Sequence, residues 1–156
     1  MSIKLLAMDV DGTLTDGMIY MGPTGEQMKA FHIHDGYGIR HILPEYGITP
    51  VIITGRESLI VQNRAKELNI TCIYQNVSDK SVIMKELAKE FCVSLSEIAY
   101  IGDDLNDLPA IELAGVRACP KNAVTPVKSC CDYICTKNGG DGAVREFIDW
   151  LVLSHL

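Results

Sequence analysis

Ile3-Lys4-Leu5-Leu6-Ala7-Met8-Asp9-Val10-Asp11-Gly12-Thr13-Leu14-Thr15 decides how the chain is read. The run from Ile3 to Met8, apolar but for Lys4, reads as a parallel strand buried on both faces. It ends in two carboxylates two residues apart. Gly12 permits the turn that follows and leaves backbone N–H groups able to face an anion. In open α/β sheets, ligands bind just beyond the carboxyl ends of the strands. The stretch therefore proposes an acidic, cation-attracting, phosphate-compatible site at the end of the first strand.

The 156 residues suit one domain spanning 1–156, and a 47% hydrophobic content supplies a full core. A formal net charge of −6 argues against nucleic-acid binding through a basic face. No stretch has the length and apolarity of a membrane span. Met1-Ser2-Ile3-Lys4 leads straight into the first strand, so no signal peptide is expected and the expected location is cytoplasmic. Cys72, Cys92, Cys119, Cys130, Cys131 and Cys135 follow no Cys-x-x-Cys spacing. A reducing compartment disfavours disulfides, and Cys130, Cys131 and Cys135 have no histidine near them in sequence to complete a zinc site. They are expected to be small buried hydrophobes.

Working outward, residues 18–22 and 26–33 flank Pro23-Thr24-Gly25 and predict a β-hairpin, a flap over about 17–33 whose apolar side chains need a cover. A helix is predicted from Gly36 to Tyr46, with Asp35 as N-cap. Strands are predicted at 49–53, 71–74, 98–101, 115–118 and 133–135. Helices are predicted at 58–68, 79–91, 106–113, 123–129 and 143–153. This alternation predicts an α/β fold: a doubly wound, mostly parallel, Rossmann-like sheet with helices on both faces and a hairpin inserted after the first strand.

Three strands end in polar groups: Asp9 and Asp11; Thr54, Gly55 and Arg56; and Asp103 and Asp104, with Asp107 one turn on. Lys80 opens the helix after the third strand. Parallel strand ends share one edge of the sheet, so these residues can converge. Several carboxylates in one crevice repel one another without a cation, and their hard oxygens favour Mg²⁺.

The order Asp9-Val10-Asp11-Gly12-Thr13, Thr54-Gly55-Arg56, Lys80, Gly102-Asp103-Asp104-Leu105-Asn106-Asp107 resembles the haloacid dehalogenase superfamily of phosphohydrolases, over nearly the whole chain. The hairpin in place of a large cap domain, Phe31-His32-Ile33-His34-Asp35-Gly36 and Gly139-Gly140-Asp141-Gly142-Ala143-Val144-Arg145-Glu146 are similar to its capless branch, which acts on phosphates of eight- and nine-carbon keto sugar acids.

The resemblance implies that Asp9 is the nucleophile that forms an aspartyl-phosphate, and that Asp11 protonates the leaving alkoxide and then deprotonates water. It implies Mg²⁺ held by Asp9, the backbone carbonyl of Asp11 and Asp103, with Asp104 and Asp107 orienting waters or Lys80. Thr54 and Lys80, with N–H groups near Asp11 and Gly12, would bind the phosphoryl oxygens. Gly55, Arg56, Arg64 and Lys66 are candidates to line or bind the substrate, whose carboxylate suits arginine. In the branch, Arg after Thr-Gly goes with the eight-carbon substrate, so Arg56 favours 3-deoxy-D-manno-octulosonate 8-phosphate, a precursor for lipopolysaccharide. Members of this type assemble as homotetramers with pooled hairpins, and the same is expected here. His32, His34, His41 and His155 carry no required role.

The nearest alternative is a nine-carbon, sialic-acid-like 9-phosphate as substrate. A phospho-acceptor signalling domain also places acids, Thr and Lys at strand ends, but its acceptor Asp ends the third strand, where this chain has Gln75 and Asn76. A non-catalytic oligomerisation module would not need Asp9, Asp11, Lys80 and Asp103 together.

Overall fold

The protein is described by a computed structural model over residues 2–154. His155 lies outside the described residues. In chain order the elements are β1 (Leu5–Met8), the hairpin strands β2 (Tyr20–Gly22) and β3 (Gly25–Met28), α1 (Ile33–Tyr37), a π-helical turn (Gly38–Ile42) and α2 (Leu43–Glu45). There follow β4 (Thr49–Ile53), α3 (Leu59–Glu67), β5 (Cys72–Tyr74), α4 (Lys80–Glu90) and β6 (Ile98–Ile101). The chain continues with α5 (Leu108–Ile111), β7 (Val116–Cys119), α6 (Thr125–Lys128), β8 (Tyr133–Ile134) and α7 (Ala143–Ser154).

Six strands form one sheet in the order β5-β4-β1-β6-β7-β8, and every pairing is parallel. The chain builds outward from β1 to β4 and β5, then crosses back to β6, β7 and β8. The carboxyl end of β1 is thus the topological switch point, where a crevice opens between diverging connections. Side chains alternate across the sheet. Leu6 and Met8 pack with Ile39, Leu43, Val61, Ala65 and Phe147, beneath α1 to α3 and α7. Leu5 and Ala7 face Met84, Leu87, Ala110, Ile111 and Val127, beneath α4 to α6. Each large apolar side chain buried this way stabilises the fold by roughly 1.5–3 kcal/mol.

The structure departs from the sequence reading in four local places. The first helix starts at Ile33 rather than Gly36. Its N-cap is His32, in extended backbone, whose Nδ1 accepts the His34 N–H at 3.1 Å. Asp35 instead turns inward and accepts the Arg145 N–H at 2.9 Å, in the first turn of α7. The second hairpin strand ends at Met28, and Phe31 makes a single bridge to Thr15. Residues 106–113 divide into a 3₁₀ turn (Leu105–Asp107) and α5, because Asp104 and Asp107 cap that turn reciprocally. Finally, all six cysteines are free, but Cys119 and Cys135 alone are fully buried and Cys92 is exposed.

Candidate active site

Backbone hydrogen bonds carry the sheet's ladder one residue past the strand ends. The Asp9 N–H donates to the Ile101 carbonyl at 3.0 Å and the Thr54 N–H to the Tyr74 carbonyl at 2.9 Å. Asp9 is therefore held beside the segment after β6, and the pairing of Met8 with Ile52 brings the end of β4, with Thr54, to its other side. Asp9, Asp11, Thr54, Gly55, Arg56, Asp104 and Asn106 line one cleft with about 430 Å³ of free space, partly open to solvent.

Beneath this cleft lies a buried ionic cluster. Lys80 Nζ donates to Asp9 Oδ1 and to Asp107 Oδ1, each at 2.7 Å, and none of the three side chains is more than 6% exposed. Asp107 Oδ1 also accepts the Tyr100 hydroxyl at 2.6 Å. Its Oδ2 accepts the N–H groups of Asp103 at 2.9 Å and Asp104 at 3.2 Å. Asp107 therefore has no oxygen left for a ligand. Its work is to fix Lys80 and to hold the Asp103–Asp104 backbone in place. Asp103 contacts the Asp9 carboxyl and accepts the Thr13 hydroxyl at 3.2 Å. Asp104 caps the following turn through the Leu105 N–H at 2.7 Å.

Burial pushes the Asp9 carboxyl well above the usual range, and the charge of Asp107 adds to this while Lys80 opposes it. Asp103 is pushed up to about 6, first by burial. For Lys80, burial opposes the charged form, but Asp9 and Asp107 outweigh it and hold the ammonium above its ordinary value. A buried carboxyl and a half-buried one in contact need a shared proton or a cation between them. Asp9, Asp103 and Asp107 each present an oxygen within 4.8 Å of the others. With Asp107 fully engaged, Asp9 and Asp103 are the pair that fit a hard divalent ion.

Three site candidates sit differently from the sequence reading. The Gly12 N–H is donated to Thr15 Oγ1 at 3.1 Å, inside its own turn, and does not face the cleft. What Gly12 supplies is steric. Its φ is +92°, and a Cβ there would strike the Asp103 carboxylate. The loop at Gly139 packs so closely on the Gly12 carbonyl that it too has no room for a side chain, which braces the turn from behind. Arg64 lies off the cleft of its own chain: its guanidinium stacks on Phe31, 5.5 Å from the ring centroid, and pairs with Glu67 at 3.1 Å. Lys66 is exposed on the same helix. Both project from α3, whose inner face is taken by Val61 and Ala65.

Several residues in and around the site escaped the sequence reading. Lys29 Nζ lies 2.5 Å from Asp11 Oδ1 and 3.1 Å from Glu26 Oε2, and Glu26 also pairs with Arg56 at 3.2 Å. No short motif announces these partners; they meet because the hairpin folds back over the strand ends. Asn106 lines the cleft, and Tyr100 supports Asp107 from within β6.

The fold and site together define a hydrolase class, and comparison with known proteins agrees. The family of haloacid dehalogenase-like hydrolases matches residues 69–148. The 3-deoxy-D-manno-octulosonate 8-phosphate phosphatase KdsC of Escherichia coli K12 is 42% identical over 154 residues, 99% of this chain and 81% of that protein. The Moraxella catarrhalis 3-deoxy-D-manno-octulosonate 8-phosphate phosphatase was solved with magnesium ion, phosphate ion and KDO. It superposes with a TM-score of 0.93 at 46% identity, covering 97% of this chain and 86% of that one. The cobalt-bound Haemophilus influenzae deoxy-D-mannose-octulosonate 8-phosphate phosphatase gives a TM-score of 0.94 at 35% identity, covering 99% and 90%. The chain belongs to the haloacid dehalogenase-like hydrolase family.

Proposed function

We propose that this chain is a Mg²⁺-dependent phosphatase that hydrolyses 3-deoxy-D-manno-octulosonate 8-phosphate to the free sugar acid and inorganic phosphate. The observation that carries the reading is one cleft that joins Asp9 and Asp11 to Arg56, above a buried Lys80. The whole-length likeness to phosphatases of that substrate supports it.

A carboxylate oxygen of Asp9 attacks phosphorus in line with the departing sugar oxygen. The P–O bond to the sugar breaks, and Asp11 gives that oxygen its proton. Asp11 then takes a proton from water, whose oxygen attacks the phosphorus of the aspartyl-phosphate and frees Asp9 and inorganic phosphate. Lys80 has three N–H donors, two of them spent on Asp9 and Asp107, so the third is available to a phosphoryl oxygen. Thr54, at the end of β4, takes another. Asp9, Asp103 and the Asp11 carbonyl would hold Mg²⁺, which neutralises phosphate charge facing the nucleophile. Arg56, at the rim and 45% exposed, would meet the substrate carboxylate.

The described chain acts as one catalytic domain with its hairpin as flap. Met18, Met21 and Met28 on that hairpin are each more than half exposed. An apolar flap this open fits burial against further copies, and the family resemblance makes that assembly a homotetramer, which light scattering would read directly. Among the described residues no helix is long and apolar enough to cross a membrane. A cytoplasmic place in lipopolysaccharide precursor synthesis follows from the substrate. A panel of eight- and nine-carbon keto-acid phosphates compared by kcat/KM tests the assignment. The 8-phosphate should lead; a leading 9-phosphate would reassign the substrate.

A further inference from the structure

Lys29 follows the second hairpin strand, yet its side chain is 2% exposed. A lysine is seldom buried to that degree unless it is paired. Its ammonium bridges Asp11 Oδ1 at 2.5 Å and Glu26 Oε2 at 3.1 Å. Glu26 Oε2 in turn takes Arg56 Nη2 at 3.2 Å, and Glu26 Oε1 takes the Ser58 hydroxyl at 3.4 Å. The result is a continuous string, Asp11–Lys29–Glu26–Arg56. Its two ends line the cleft and its two middle members come from the flap.

We infer that Lys29 is a positioning residue for phosphate-ester hydrolysis: it sets the Asp11 carboxyl, while Glu26 ties Lys29 to Arg56. The inference rests on the acid–base role proposed for Asp11. The Asp11 side chain stands on a turn and is 22% exposed, so its neighbours leave it room to swing. General acid catalysis needs the proton donor within hydrogen-bond reach of one oxygen, and a displacement of about 1 Å can cost about 10²-fold. Lys29 takes up that freedom by donating to Oδ1, which leaves Oδ2 to carry the proton that is given to the leaving oxygen. Through Glu26, the same flap residue aligns the acid at one side of the cleft with the arginine at the other. A flap that leaves the site therefore takes the alignment of Asp11 with it.

The leaving group provides the test. A sugar alkoxide is a poor leaving group that needs the proton of Asp11, whereas p-nitrophenolate departs without one. Wild type, Lys29→Met, Lys29→Arg, Glu26→Gln and Asp11→Asn are assayed as full-length proteins with Mg²⁺ on a sugar phosphate and on p-nitrophenyl phosphate. With enzyme in excess, so that only the step breaking the ester P–O bond is read, Lys29→Met should lose at least about 10-fold more of the single-turnover rate of leaving-group release on the sugar phosphate than on the aryl ester, out of the roughly 10²–10⁴ that acid–base catalysis contributes. Lys29→Arg should recover part of that loss. Asp11→Asn should show the same selectivity, and adding Lys29→Met to it should cost little more. Glu26→Gln should show a smaller shift of the same sign, which keeps the test alive if Lys29→Met does not fold. Equal losses on both esters, or an effect confined to KM for the sugar phosphate, would overturn the inference. Where wild type ignores the keto sugar acid but cleaves another alkyl phosphate, such as glucose 6-phosphate, the substrate assignment fails. The leaving-group ratio is then read on that ester.

Discussion

Lys80 and Asp9 form an ion pair, Nζ to Oδ1 at 2.7 Å, with side chains 1% and 6% exposed. The same ammonium reaches Asp107, so two buried acids share one cation. Taking one partner from such a pair leaves charge buried without compensation, at a cost of roughly 3–5 kcal/mol. Lys80→Met should therefore lose both phosphatase activity and about 3 kcal/mol of stability by urea denaturation. A variant of wild-type stability would show that the cluster does not carry that strain.

The contact between Asp9 and Asp103 predicts that activity follows the divalent ion. Chelation should stop hydrolysis and added Mg²⁺ should restore it. Asp103→Asn should require a much higher Mg²⁺ concentration for half-maximal rate. Undiminished turnover in excess chelator would contradict the metal reading.

Asp35 gives a pH signature away from the catalytic cleft. Burial pushes its carboxyl up to about 6, against the Arg145 N–H and the charges of His34, Lys137 and Arg64, from an ordinary 3.8. One oxygen, Oδ2, has no hydrogen-bond partner. Between those two pH values the folded chain keeps a proton that the unfolded chain has lost, so Asp35 makes stability fall as pH rises from about 4 to about 6. The cost stays above pH 6, at about 1–3 kcal/mol. Asp35→Asn should remove that fall, so the variant gains on wild type between pH 4.5 and 7 in urea titrations. A pH-independent difference would sink the idea.

Most of the framework could be read from the chain because both of its signals are local. Short apolar runs such as Val51-Ile52-Ile53 and Ile98-Ala99-Tyr100-Ile101, rich in β-branched residues and soon followed by glycine, favour doubly buried strands, and polar residues at the carboxyl ends of parallel strands meet at one edge. What escaped depends on distant partners. Asp35 has the chemistry of an N-cap for the helix beside it, but its partner is the N–H of Arg145, which no local pattern reveals. Arg64 is chemically suited to a carboxylate, yet α3 turns it onto Phe31. Gly12 reads as an anion-facing donor until Thr15 is seen to take its N–H. Lys29 is one lysine among several along the chain until the hairpin folds it onto Asp11.

Asp9 as the nucleophile that takes the phosphoryl group of 3-deoxy-D-manno-octulosonate 8-phosphate is the assignment on which every other role at the cleft depends. Its most direct test is inorganic phosphate release from that substrate with Mg²⁺, for wild type and for a folded Asp9→Asn variant. Wild type should turn over, and Asp9→Asn should fall by at least about 10³-fold, as loss of a nucleophile does. Comparable phosphate release from the two proteins, or none from wild type, would contradict the account.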